Sequence, residues 1–313
     1  MRYILKKVMM FALTLFFVSL LAFFAFEIIP GDAAVSMLGT EATSEALEVL
    51  REELGMNGSA MQRYGKWLGK ALKGDLGISY NYRIPVSGMI AEKLPITLTL
   101  TAMSFVLVMG IAFVVSILSV RYTGTWIDKL IFVGNQITMS VPSFFVGIVC
   151  TIVFGLTLRI FVVGNYVSYT ERVSGFVSYL FFPALSLAIP KSAMTVKMFR
   201  NALLEEMKQD YVRTAYSRGN SEIRVLLVHI LKNALIPVVT FLGWAIADLM
   251  ANSIIIEQVF GIPGMTRVLL AAISKRDYPV VEGIVLLFAV VVLSVNLIVD
   301  ILYHQLDKRI VME

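Results

Sequence analysis

A chain of 313 residues has room for two soluble domains, but its 58% hydrophobic and 16% charged content and mean hydropathy of +0.80 exclude a soluble globular protein and point to one dissolved in a bilayer. Basic residues beside membrane spans account for the net charge of +5 without a nucleic-acid partner. Cys150 is the only cysteine, which excludes an intrachain disulfide, and its apolar surroundings predict a buried inert thiol.

Arg2, Lys6 and Lys7 precede an apolar run over 8–29, which at about 1.5 Å per residue covers the roughly 30 Å of a hydrocarbon core. The run exceeds a signal-peptide core and has no small-residue cleavage site behind it, so it predicts an uncleaved first span with a cytoplasmic N-terminus. Glu27, near its outer end, is expected to snorkel to the interface. Ile29, Pro30, Gly31 and Asp32 end the span, and a polar interval runs to about Leu94. Within it, 44–54 and 60–72 carry helical periodicity, and GDLGIS at 74–79 and Pro85 mark turns, implying an external subdomain.

Residues 96–120 form an uncharged second span, and 121–129 a short basic connector. The third span, 130–158, contains Pro142 at its centre. A proline there predicts a kink facing protein or a cavity at Pro142 and Ser143, with a simple packing kink as the plain alternative. The fourth, 176–198, is expected to be broken by Pro183 and Pro190 and to end among Lys191, Lys197 and Arg200 on the cytoplasmic side.

The charged interval 200–237 follows. Leu204, Met207, Tyr211 and Ala215 share one helical face, Gly219 interrupts the pattern, and Asn220 or Ser221 is placed to cap a second helix with an Ile223, Leu226, Leu227, Ile230 and Leu231 stripe. A helix, glycine turn and helix result; periodicity alone also allows a connector lying on the lipid surface. The fifth span, 235–256, sets Asp248 and Asn252 on one face. A charge at that depth predicts a cavity-facing position, the alternative being an ion pair with Lys191 or Lys197 that holds the bundle together. An acidic lining would favour cationic cargo. After an outer, turn-rich 257–279, the sixth span covers 283–299, and Lys308 and Arg309 return inside. Six spans place both termini in the cytoplasm, with the basic excess on that side.

No GxxxxGK[ST] loop is present to cradle ATP phosphates, and His229 and His304 match no metal-ligand spacing and are read as cytoplasmic surface residues. Asp248 has no acidic companion in a span, so an intramembrane hydrolase lacks its pair.

The interval 200–237 resembles the EAA coupling loop of permease subunits in ABC importers, in the dipeptide, oligopeptide and nickel branch. Arg213, Thr214 and Ala215 stand where the general pattern has Glu-Ala-Ala before Gly219; the missing glutamate and the long interval to Pro237 are similar to what that branch shows. The resemblance extends along the chain through Ile29 to Asp32, Leu54-Gly55, Gln62-Arg63-Tyr64, Gly74 to Ser79, Leu94 to Leu100, Glu257 to Met265, Arg276 to Val280 and Asn296 to Tyr303. Met265 replaces a family glycine and Lys308 a frequent proline.

The resemblance implies an all-α membrane protein with the six-helix type I ABC importer permease fold and an extracellular subdomain after the first helix. The expected divisions are 1–95 for the first helix and subdomain, 96–303 for the permease core with coupling loop 200–233, and 304–313 for a cytoplasmic tail. It assigns ATPase coupling to Arg213, Thr214, Ala215 and Gly219, while the residues themselves nominate Asp248, Asn252, Pro142 and Ser143 for the translocation pathway. The chain is expected to bind no cofactor or metal, with ATP and Mg on partner subunits. Those partners are a second permease in a heterodimer, two ATP-binding subunits and an extracellular substrate-binding protein, in a bacterial or archaeal cytoplasmic membrane. Peptides are the expected cargo, nickel or a metal chelate the alternative; a stand-alone membrane enzyme or receptor is the rival of a different class.

Overall fold

The computed structural model describes residues 2–28, 33–39 and 42–306, with backbone alone at 2–4, 36 and 302–306. The side chain of His304 and the residues IPGD at 29–32, Lys308 and Arg309 therefore lie outside the described residues. In chain order the helices are α1 Arg2–Ile28, α2 Ala33–Leu38, α3 Ser44–Glu53, α4 Ala60–Ala71, α5 Val86–Arg121 and α6 Trp126–Ser140. There follow α7 Ser143–Thr157, α8 Val173–Glu206, α9 Asp210–Ser217, α10 Glu222–Val259, α11 Met265–Ser274 and α12 Tyr278–Leu306. Among the described residues the only extended pairing is an isolated bridge between Ile78 and Pro85. Among the described residues five helices are long and apolar enough to cross a bilayer, and a sixth span exists if α6 and α7, bent by 101°, count as one. The centre expected to be a kink is thus a right-angle break. Pro142 removes the N–H that would continue α6 and restricts Val141, which takes extended angles (φ −90°, ψ 123°).

The fourth span departs from expectation in the other direction. Helix α8 runs unbroken through both Pro183 and Pro190. Buried neighbours surround both turns, with Leu180, Ala184, Leu187, Ala188 and Ala193 all inside the protein, a setting in which packing holds a proline-containing helix together.

The chain separates into two compact units. The first comprises 1–97 and 263–297. Here α3 starts at a Thr43 cap and α4 at a Ser59–Gln62 capping box, each holding N–H groups that the first turn leaves open. Helix α4 lies along α1: Tyr64 bonds the Ser19 hydroxyl at 2.9 Å, and Phe23 meets the rings of Tyr64 and Trp67 at 5.4 and 6.0 Å. Glu27 pairs with Arg63 of α4. Two sequence stretches far apart in the chain meet at Asp277, which is fully buried. Its carboxylate accepts from Ser79 Oγ at 2.5 Å, Tyr80 N at 2.9 Å, Asn81 N at 3.2 Å and Asn81 Nδ2 at 3.3 Å. Four donors on one carboxylate fix the GDLGIS turn to the RDYPV turn and leave the charge solvated by protein. Thr97 acts similarly on α11, its Oγ1 accepting the Met265 N–H at 3.0 Å where Gly264 offers no side-chain cap.

The second unit comprises 98–262 and 298–313 and is built on α8, against which α6, α7 and α10 pack. Phe260, fully buried, is held by its carbonyl, which accepts the Tyr179 hydroxyl at 2.5 Å. Gly147 gives it room: a Cβ there would stand 3.1 Å from the Phe260 ring.

Candidate functional site

Two features of the second unit carry the candidate residues. The first is α9. Its eight residues bury Val212 and Ala215, 2% and 5% exposed, while Arg213, Thr214, Tyr216 and Ser217 face outward. The buried pair belongs to an apolar cluster with Val120 of α5, Phe199 and Leu203 of α8 and Val225, Ile230 and Ala234 of α10. Burying two such side chains is worth about 2–4 kcal/mol, enough to make α9 part of the ends of three long helices instead of a floating loop.

The boundaries differ from the sequence expectation. Leu204, Met207, Tyr211 and Ala215 do not share one helix: α8 continues to Glu206, and 207–209 form a turn before α9. The second helix is not a separate short one either, since α10 begins at Glu222 and continues through a π-helical stretch, Val225–Ile230, into the membrane span. The apolar stripe is continuous with the span's own, so nothing in the packing ends the helix. Asn220 caps backwards, its Nδ2 donating to the Ala215 carbonyl at 2.9 Å. Gly219 sits at φ +77° with open space around it. The requirement there is for a left-handed backbone, which glycine alone takes without penalty. Tyr211 ties the turn, donating to Glu206 Oε2 at 2.5 Å and accepting from Asn233 Nδ2 at 3.1 Å. Burial and the Glu206 contact raise its hydroxyl above the usual range, so it stays a neutral donor.

A partly buried ion pair next to this turn was not legible in the sequence. Arg200 of α8 reaches Asp128 of α6 with Nη2–Oδ2 at 2.8 Å and Nη2–Oδ1 at 3.1 Å, and Ser119 of α5 donates to the same carboxylate at 2.6 Å. The connector 121–129 therefore holds an acid that neutralises Arg200 and joins three helices just before α9. The only hint was an aspartate four residues after Gly124, whose N–H it also accepts at 3.2 Å.

The second feature is a cavity of about 210 Å³ lined by Pro142, Ser143, Lys191, Asp248 and Asn252, with Met139, Val141, Leu187, Pro190, Met194 and Leu249. The four residues nominated from sequence thus meet in one place. Asp248 is also ion-paired, its Oδ2 2.5 Å from Lys191 Nζ, which lies 4.4 Å over the Trp244 ring. Both sequence readings of Asp248 hold together in this geometry, but the pair cancels its charge, which removes the argument for cationic cargo. Asn252 donates an amide hydrogen to the Asp248 carbonyl at 2.9 Å. Among the described residues no group of three or more His, Cys, Asp and Glu could hold a metal ion.

Residues 110–312 match the family described as the inner membrane component of binding-protein-dependent transport systems, and residues 1–101 match the N-terminal family of the same components. The chain belongs to this permease family. A protein of Brucella abortus (strain 2308) named as a peptide transport system permease is 36% identical over 307 residues, covering 98% of both chains. The glutathione transport system permease protein of Escherichia coli (strain K12) is 32% identical over 312 residues, 99% of both. This permease is accordingly the multi-pass membrane component of an ABC importer, a family whose members work with partner permease, ATPase and binding-protein subunits. The cavity lies among the spanning helices α8 and α10 and the break between α6 and α7.

Proposed function

We propose that the chain forms half of a translocation pathway for peptides, delivered by a substrate-binding protein and driven by ATP hydrolysed with Mg on partner subunits. The observation that carries this reading is α9: a polar outward face on a helix whose Val212 and Ala215 are packed into the ends of α5, α8 and α10. A push on Arg213, Thr214 or the Gly219 turn is transmitted to spans, because close-packed interiors shift as bodies and do not deform smoothly. Ala215 serves as an anchor and Arg213 and Thr214 as the contacting face. The Pro142, Ser143, Asp248 and Asn252 cavity lies on the helices so moved and is assigned to the pathway. Peptide cargo has the support of both relatives' names; no feature of the cavity favours nickel or a metal chelate. We further assign a different permease as the pairing partner, a cytoplasmic location to α9 and both termini, and an external one to 33–85.

The test is reconstitution of the chain with its partner permease, ATPases and binding protein in proteoliposomes, following a radiolabelled tripeptide mixture. Uptake that needs ATP and the binding protein together is expected. ATP hydrolysis with no peptide accumulation under any of these conditions would remove the reading.

A further inference from the structure

The first unit holds a larger cavity, of about 680 Å³, between the outer end of α1, helix α4, the 74–80 turn and the start of α12. Its charges are sorted. On the floor, Glu282 of α12 is 6% exposed and makes no hydrogen bond or ion pair among the described residues, with Glu27 nearby and engaged by Arg63. On the rim, Lys66 and Lys70 lie one turn apart on α4, exposed, with Lys73 beyond them. Arg63 Nε and Trp67 Nε1 are buried in the wall without an acceptor. Two buried donors thus lack an acceptor, an arrangement proteins rarely leave unanswered. Burial, with the Glu282 and Asp277 carboxylates beside it, pushes the Tyr80 hydroxyl far above its usual range, adding a neutral donor to the wall.

The depth of the cavity follows from helix length. At about 1.5 Å per residue, the 27 residues of α1 span roughly 40 Å, about 10 Å more than a hydrocarbon core. The excess falls at the first turns, where Lys6 and Lys7 stand, so the last turn of α1 marks the far edge of that core. Phe26 and Glu27 in that turn therefore reach headgroup level, with Phe23 one turn below, beside the aromatic side chains Trp67, Tyr80 and Tyr278 that suit that zone.

We propose that this cavity binds a zwitterionic phosphoethanolamine group, that of a phosphatidylethanolamine lipid, with its ammonium on Glu282 and Glu27, its phosphate on the Lys66 and Lys70 rim, and its chains along Phe23, Phe26 and Leu76. A primary ammonium supplies three donors to the buried carboxylate, which the quaternary ammonium of phosphatidylcholine does not. The test reads binding alone. The full-length chain in maltoside detergent is titrated with dihexanoyl phosphatidylethanolamine, dihexanoyl phosphatidylcholine and free O-phosphoethanolamine. Preference for the ethanolamine lipid over the choline lipid of about tenfold or more is expected, falling to about one in Glu282→Gln. Lys70→Ala, on the exposed rim, should weaken both lipids several-fold alike, and it decides the matter if Glu282→Gln does not fold. Equal binding of the two lipids by the wild type, an unchanged preference in Glu282→Gln, or unchanged affinities in Lys70→Ala overturns the proposal. Binding of free O-phosphoethanolamine as tight as the lipid overturns the lipid source and assigns the site to a soluble amine.

Discussion

Lys191 and Asp248 show how a single charge is tolerated on a spanning helix. Their side chains are 11% and 29% exposed, so neither is solvated well enough to stand alone, and the 2.5 Å contact together with the Trp244 ring substitutes for water. Asp248→Leu leaves the lysine unpaired and should cost about 3 kcal/mol, the lower end for breaking a buried pair because the site is partly open. Lys191→Leu combined with Asp248→Leu should recover most of the lost thermal midpoint in detergent. If the double variant is no more stable than the single, the pair is not what holds these helices. Asp277 allows a sharper substitution. Asp277→Asn puts an amide hydrogen toward four donors, and each hydrogen bond to a charged group is worth about 1.5–3 kcal/mol. The variant should open the 74–85 turn to protease well before the rest of the chain, and Ser79→Ala, which removes one donor, should do so less.

At the scale of elements, the spans were legible because long apolar runs leave few alternatives, and α3 and α4 because 44–54 and 60–72 carry helical periodicity; the Thr43 and Ser59 caps that start them show only in the structure. What misled was local grammar read without packing. Pro183 and Pro190 are helix breakers in water, yet α8 passes through both since its neighbours supply the stability. Asp128, Arg200 and Ser119 could not be paired from spacing, being separated by 72 and 81 residues. The four residues nominated for the pathway were picked out by their chemistry, proline, amide and charge at depth, whereas their common cavity exists only after α6 and α7 bend. For α9 the decisive element is its far end. Gly219→Ala should cost about 1–2 kcal/mol locally, the penalty for a side chain in left-handed backbone, and lower coupled uptake in part. Gly219→Pro, whose ring demands φ near −65°, should leave the protein in the membrane and its ATPase partners active while uptake is lost. Uptake at the wild-type rate in the proline variant would show that the turn transmits nothing.

Topology of the whole molecule turns on the one place where span counting is ambiguous. With α6 and α7 crossing as a single broken span, the chain passes the bilayer between 122 and 172, so α9 lies on the side of the N-terminus and the 33–85 subdomain on the other. If the bent pair enters and leaves by the same face, five spans remain, and α9 shares a side with the subdomain, out of reach of any ATPase that serves the N-terminal side. Charge argues for the crossing: Lys197, Arg213, Arg218, Arg224 and Lys232 would then join Lys6 and Lys7 on one face, as short basic segments prefer. The distinction is measurable with single cysteines. In a Cys150→Ser background, Ser217→Cys and Lys73→Cys, both at exposed positions, should react with an impermeant maleimide from opposite sides of intact cells and inverted vesicles. Labelling of both from the same side would place the α9 helix with the subdomain, and the coupling role would fail with it, because the packing of Val212 and Ala215 would then link the spans to a face that no nucleotide reaches.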